Sequence, residues 1–193
     1  MEQQAQGRIW YKLRGALIAP AYIFAFFCTY RENEHGIVFA LGLALFAGGF
    51  FLRVWSQMHL HYRLKEHKIL TMTGPYTIVR NPIYIGNTLI LVGTILIAEL
   101  VWFAPVMLLA CMITYAFVVR YEERHLSEKY GAPYRDFLTQ VPRWIPHRNN
   151  MSGPAAHNHM RYLLPSILVE LHILLLLILP LAKEVVFPHN GLF

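Results

Sequence analysis

Long apolar runs alternate with short polar and basic stretches along this chain. The runs cover residues 13–30, 36–56, 82–99, 100–119 and 162–182. Each is close to the roughly 20 residues that an α-helix needs to cross a bilayer. The first run is broken only by Arg14 and Pro20. The second holds Gly42, Gly48 and Gly49, small residues that let a neighbouring helix approach closely. The third and fourth have almost no polar residue between them and predict a tight helical hairpin with Glu99 at its tip. Residues 82–119 divide into two legs of about 19 residues, or about 28 Å each at the helical rise. Both ends of the hairpin therefore return to one membrane face. The pattern predicts an all-α integral membrane protein with about five transmembrane helices.

Composition supports the same class. Of 193 residues 56% are hydrophobic and only 15% are charged, where a soluble domain carries about 25%. The net charge of +6 comes from Lys and Arg lying between apolar runs, not from a patch with interleaved aromatics. It reads as membrane topology and excludes a nucleic-acid partner. Segments 1–14, 57–81 and 120–161 hold nearly all of the Lys and Arg, the opposite side only Arg31 and Lys183. The asymmetry predicts a cytosolic N-terminus and a C-terminus on the other side. The whole chain, 1–193, reads as one membrane domain. Residues 57–147 read as its central unit, with the basic loop, the hairpin and the polar stretch after it, 148–161 as a linker rich in Asn, Gly, Pro and His, and 162–182 as the last crossing. No small-residue cleavage site follows the first run, so no cleavable signal is expected. Cys28 and Cys111 both fall in apolar runs and read as buried thiols.

The least ordinary stretch is 73–86, a polar turn segment ending in Arg80-Asn81-Pro82 just before an apolar run. Asn is a favoured helix cap and Pro suits the first helical position, so a helix is expected to start here with Asn81 as its cap. Its positive dipole end and Arg80 would together suit an anion. The hairpin returns to the same face at Arg120-Tyr121-Glu122-Glu123. Arg120 and Glu123 lie three apart, on one helical face. The polar, aromatic stretch 124–146 predicts a helix that leaves the membrane, turns at Gly131 and lies over the hairpin mouth. His59, His61 and His67 beside Glu66 read as a headgroup-level loop without metal-site spacing. Glu170 and His172 are ionisable residues inside the last run, which marks them as candidates for function or for pairing with another helix. Trp10, Tyr11, Tyr121, Trp144 and Tyr162 stand at run ends as interfacial anchors.

The run Arg80-Asn81-Pro82-Ile83-Tyr84-Ile85-Gly86, the apolar hairpin and then Glu122-Glu123 resemble the signature of the isoprenylcysteine carboxyl methyltransferases. That signature reads Arg-His-Pro-x-Tyr-x-Gly, a hydrophobic stretch, then Glu-Glu. The resemblance spans roughly residues 67–146, taking in Gly74-Pro75-Tyr76, Tyr130-Gly131, Tyr134 and Val141-Pro142-Arg143. It implies a cytosolic S-adenosylmethionine site lined by His67, Lys68, Ile69, Leu70, Tyr76, Arg80, Asn81, Pro82, Ile83, Tyr84, Gly86, Glu122 and Glu123. It further implies catalytic roles for Glu123 and for Arg120, which lies near the position of a substrate-facing arginine. The departure is Asn81, where the family usually has His; it removes a titratable group. The superfamily also holds phospholipid N-methyltransferases and small-thiol methyltransferases. The implied acceptor is therefore lipid-like or hydrophobic, with a prenylcysteine-type carboxylate, a phospholipid amine and a small thiol all open. Sterol reductases using NADPH carry similar Arg-x-Pro-x-Tyr and Lys-Tyr-Gly patterns, which makes a reductase the alternative of another class. A third alternative is a non-enzymatic membrane protein on a degenerated methyltransferase scaffold, in favour of which Asn81 speaks.

Overall fold

The computed structural model describes residues 19–20, 23, 36–62, 70–146 and 159–178. Most of the first apolar run, the 63–69 stretch with His67, Lys68 and Ile69, and most of the 148–161 linker lie outside the described residues. Among the described residues the chain is helical, without strands. The helices are α1 (Gly36–Tyr62), α2 (Pro82–Ile97), α3 (Ala104–Tyr130), α4 (Ala132–Gln140) and α5 (Leu163–Glu170). After α5 the chain continues through a 3₁₀ segment, Leu171–Leu174, into a last helical turn.

Among the described residues three stretches are long and apolar enough to cross a membrane: Gly36–His61, Val101–Tyr130 and Met160–Ile178. α2 is shorter, at 16 residues, or about 24 Å. The outer faces are apolar, with Ile37, Phe51 and Trp55 on α1 and Leu109, Met112 and Phe117 on α3 all exposed. A contiguous apolar exterior of this kind is stable in lipid and costly in water. The protein is an all-α membrane protein.

Glycine sets the closest helix contact. Gly42 and Gly49 on α1 are seven residues apart, as are Gly86 and Gly93 on α2, so each pair repeats after two turns. A Cβ on Gly49 would lie 2.6 Å from the Gly86 carbonyl oxygen, and one on Gly93 would lie 2.7 Å from the Gly42 oxygen. The helices thus run antiparallel with their backbones in contact. Gly48, expected to share this role, faces open space; one residue further round the helix points about 100° away.

α2 and α3 form the expected hairpin, with an end written in backbone hydrogen bonds. Leu100 N–H donates to the Ile95 carbonyl at 3.1 Å and Glu99 N–H to the Leu96 carbonyl at 2.9 Å. Glu99 takes φ +59°. This is a Schellman end with glutamate in the left-handed position that usually goes to glycine. The packing of fully buried Leu100 and Ile95 in one cluster completes it. The legs are unequal, however: α2 stops at Ile97, whereas α3 continues eleven residues past the apolar run to Tyr130. On the hairpin's inner seam Phe103, Met107, Cys111, Tyr115 and Val118 recur at helical spacing.

α3 ends at Gly131, whose φ of +65° suits a residue without Cβ. The chain folds back there into α4, whose Tyr134 and Phe137, with Val141 just after it, pack against Leu70, Met72, Leu126 and Tyr130. α1 runs beyond the predicted boundary at Ser56 to Tyr62. Its last turn is polar but partnered: His59 Nδ1 lies 2.9 Å from Thr73 Oγ1 and His61 Nδ1 3.4 Å from Ser166 Oγ. These two histidines therefore belong to a helix, not to the loop in which the sequence places them, and they face different segments.

Candidate functional site

The two sequence motifs meet around one cavity of about 830 Å³. α1 contributes Arg53, Gln57 and Leu60 to its wall, and the segment before α2 contributes Leu70, Thr71, Tyr76, Arg80 and Asn81. Pro82, Ile83, Tyr84 and Asn87 come from α2; Tyr121, Glu122, Glu123, His125, Leu126 and Tyr130 come from α3; Tyr134 and Phe137 come from α4.

Local backbone features aim these groups. The 3₁₀ turn Gly74–Thr77 rests on the end of α1. Gly74 has φ +59°, and a Cβ there would lie 2.3 Å from His59 Nε2. Only glycine lets the turn sit this low, and the turn carries Tyr76 into the wall. Burial and the nearby Glu122 push the Tyr76 phenol up, with Arg53 opposing. Burial and Glu123 do the same to Tyr134. Both phenols are therefore neutral hydrogen-bonding groups at physiological pH.

At the start of α2, Asn81 occupies the cap position with its backbone. Its carbonyl accepts from Tyr84 N–H at 3.2 Å and Ile85 N–H at 3.3 Å. The side chain makes no capping bond, contrary to the expectation from sequence. It donates instead to the Arg143 carbonyl at 3.3 Å, and Arg80 N–H donates to the Pro142 carbonyl at 2.9 Å. The start of α2 is thus tied to the strap 141–143 that follows α4.

The carboxylates on α3 close the circuit. Glu123 is buried and pairs with Arg80 Nη1 at 3.2 Å. Arg143 grips the same carboxylate with two nitrogens, Nε to Oε1 at 3.1 Å and Nη2 to Oε2. Glu122 Oε1 accepts from the Tyr84 hydroxyl at 2.8 Å. The arginine and tyrosine of the first motif therefore each hold one glutamate of the second. Arg80 Nε is buried and has no hydrogen-bond partner among the described residues.

Deeper in the membrane Arg53 forms a second polar group. Its Nε donates to Glu170 Oε2 at 2.8 Å, its Nη2 to Glu170 Oε1 at 3.0 Å, and its Nη1 to Asn87 Oδ1. Glu170 is fully buried, so it is a paired group between helices, while His172 is exposed and bonds the Val169 carbonyl.

Of the sequence-predicted residues, Leu70, Tyr76, Arg80, Asn81, Pro82, Ile83, Tyr84, Glu122 and Glu123 stand in the cavity wall. Gly86 does not; it faces α1, where a Cβ would meet Arg53 Cγ at 2.7 Å. Arg120 is exposed and outside the wall. It lies two positions before Glu122, at the middle of the lining arc, which turns it to the far side of α3 at about 100° per residue. Sequence reading passed over Arg53, Gln57, Asn87 and Arg143 as site residues. A signal existed for Arg53 and Asn87, polar residues inside apolar runs.

Fold and site together define a helical membrane protein with a cavity of apolar, aromatic and charged residues built from a helical hairpin and the helices beside it. The phospholipid methyltransferase family model matches residues 37–133, half of the chain, and the chain belongs to that family. It is similar to the nickel-cobalt-cadmium resistance protein NccN of Alcaligenes xylosoxydans xylosoxydans, with 30% identity over 94 residues, 49% of this chain and 43% of that one. It is also similar to the cobalt-zinc-cadmium resistance protein CzcN of Cupriavidus metallidurans, 27% identical over 106 residues, 55% of this chain and 46% of that one. The matches thus span less than half the length of these curated relatives. No solved structure matches the chain significantly. Among the described residues no three His, Cys, Asp or Glu side chains converge as metal ligands.

Proposed function

We propose that the chain is an S-adenosylmethionine-dependent methyltransferase whose acceptor is a hydrophobic or lipid-like molecule, with a prenylcysteine-type carboxylate as the first candidate and a phospholipid amine or small thiol as alternatives. The observation that carries this reading is the joining of the two motifs, Arg80 to Glu123 and Tyr84 to Glu122, around a cavity of about 830 Å³. That volume suits a ligand of cofactor size.

The residues present fit the cofactor. The buried, unpartnered Arg80 Nε and the positive end of α2 suit its carboxylate. Glu122, which accepts from the Tyr84 hydroxyl, suits the ammonium or ribose hydroxyls. Tyr76, Tyr130, Tyr134 and Phe137 supply aromatic surface for a purine. When bound, S-adenosylmethionine supplies an electrophilic methyl group; the acceptor's lone pair forms the new bond while the old sulfur–carbon pair stays on sulfur. The protein's task is mainly to position the acceptor in line and exclude water. A carboxylate or thiolate acceptor needs no base. A protonated amine must first lose a proton, for which Glu122 is the nearest acceptor in this wall.

Glu123 is offset by two guanidinium groups, and its part is to hold Arg80 and the strap in place. Calorimetric titration of the purified chain with S-adenosylmethionine and, separately, NADPH tests the reading. Binding of the first but not the second is expected; the reverse would establish the reductase alternative. Transfer of labelled methyl into a lipid extract then identifies the acceptor class.

A further inference from the structure

The inner end of the cavity carries donors that the proposed cofactor chemistry does not use. A guanidinium has five N–H groups. Arg53 commits three of them, two to Glu170 and one to Asn87. Two remain, one on each Nη, on a side chain that is 12% exposed and forms part of the cavity wall. A guanidinium only donates, so Asn87 must face it with its oxygen. The Asn87 amide NH₂ is then turned away from Arg53 with two donors, and Asn87 also forms part of the wall. Gln57 adds an amide one turn along α1. The charge of Arg53 is cancelled by Glu170, so this end is rich in donors without being strongly cationic. Such a surface holds an oxygen delivered by a larger molecule better than it captures a free anion from water. Helices α1 and α5, which carry Arg53 and Glu170, present exposed Phe51, Trp55 and Leu168 outward. A cavity set among such lipid-facing helices suits a molecule whose remainder is apolar.

Resting on the methyltransferase reading, we propose that Arg53 and Asn87 bind a phosphate or carboxylate oxygen of the methyl acceptor. Glu170 is the positioning residue that fixes the Arg53 guanidinium for this contact. Glu170 lies outside residues 37–133, which carry the family match. The acceptor end of the site is thus completed by a segment beyond that match.

The test uses the full chain in lipid nanodiscs with two acceptors. One is phosphatidylethanolamine, whose phosphodiester lies beside its amine; the other is a farnesylated cysteine with a free carboxylate. Whichever the wild type methylates names the source of the oxygen. With that acceptor, Arg53→Lys, which cannot bond Glu170 and Asn87 in the same fork, should raise KM at least tenfold. Its Kd for S-adenosylmethionine should stay within twofold. Asn87→Leu leaves the Arg53–Glu170 pair intact and should raise KM several-fold, so the claim stays testable if the arginine variant does not fold. Glu170→Gln should raise KM with kcat held. Acceptor KM within twofold of wild type in folded Arg53→Lys or Asn87→Leu overturns the assignment, as does a cofactor Kd that rises in step with KM. A wild type that binds cofactor yet methylates neither acceptor overturns it too. A wild type that binds no S-adenosylmethionine overturns the methyltransferase reading itself.

Discussion

At Glu123 a single buried carboxylate faces the guanidinium groups of Arg80 and Arg143. The sequence places it where the hairpin returns to the membrane face. The structure makes it the centre of an ion network, where removing one charge strands the others. Glu123→Gln is expected to cost about 3–5 kcal/mol, the scale of breaking a buried pair, and to lower the thermal midpoint and the cofactor affinity together. Arg143 is 36% exposed at its side chain, so Arg143→Ala should cost clearly less; equal losses in melting experiments would contradict the burial argument. The meeting of Arg80 with Glu123 was legible, because two legs of similar length must bring their ends together. The place of Arg120 was not, because spacing of three from Glu123 leaves open which side of Glu123 faces the cavity. A further residue-scale consequence follows from Tyr134, whose burial and neighbour Glu123 raise its phenol above the ordinary value of 10.0. A folded value above the unfolded one gives stability that is complete below pH 10 and lost as pH rises beyond it. Alkaline melting should therefore steepen above pH 10, and Tyr134→Phe should lessen that loss relative to wild type.

At the scale of elements, glycine placement separates two neighbours that look alike in sequence. Gly49→Ala puts a methyl 2.6 Å from the Gly86 carbonyl oxygen, a backbone atom that moves only if α1 and α2 part. Gly48→Ala meets nothing within 4 Å and replaces a poor helix former by the best one, worth up to about 1 kcal/mol. The first should lower the thermal midpoint in detergent and the second should leave it unchanged or raise it. A destabilised Gly48→Ala with a normal Gly49→Ala would mean that α1 is rotated from the position described. The helices themselves were legible from apolar runs. Their ends were less so, because tertiary partners decide them. α1 continues through His59 and His61 because Thr73 and Ser166 receive those rings. α2 stops early because Glu99 adopts a left-handed turn that composition does not announce.

Across the whole molecule, the Arg53–Glu170 pair joins α1 to α5 within the membrane, and Asn87 extends it to α2. Sequence reading identified Glu170 as either functional or paired, and could not choose, because its partner lies 117 residues away. The fold supplies that partner. Energetically the pair need not stabilise the protein: taking two charges out of water costs several kcal/mol per ion, which their attraction repays only with good geometry. Breaking it is another matter, since one charge is then left alone in an apolar setting. Glu170→Leu should therefore lower stability by about 3–5 kcal/mol, while Arg53→Met combined with Glu170→Leu should recover most of that loss. Thermal midpoints of the single and double variants in one detergent decide it. Recovery of the midpoint with acceptor methylation still lost would separate what the pair does for the fold from what Arg53 does in the cavity. Recovery of both would reduce the pair to a helix fastener, and failure of the double variant to recover at all would mean that the ions contribute net stability here.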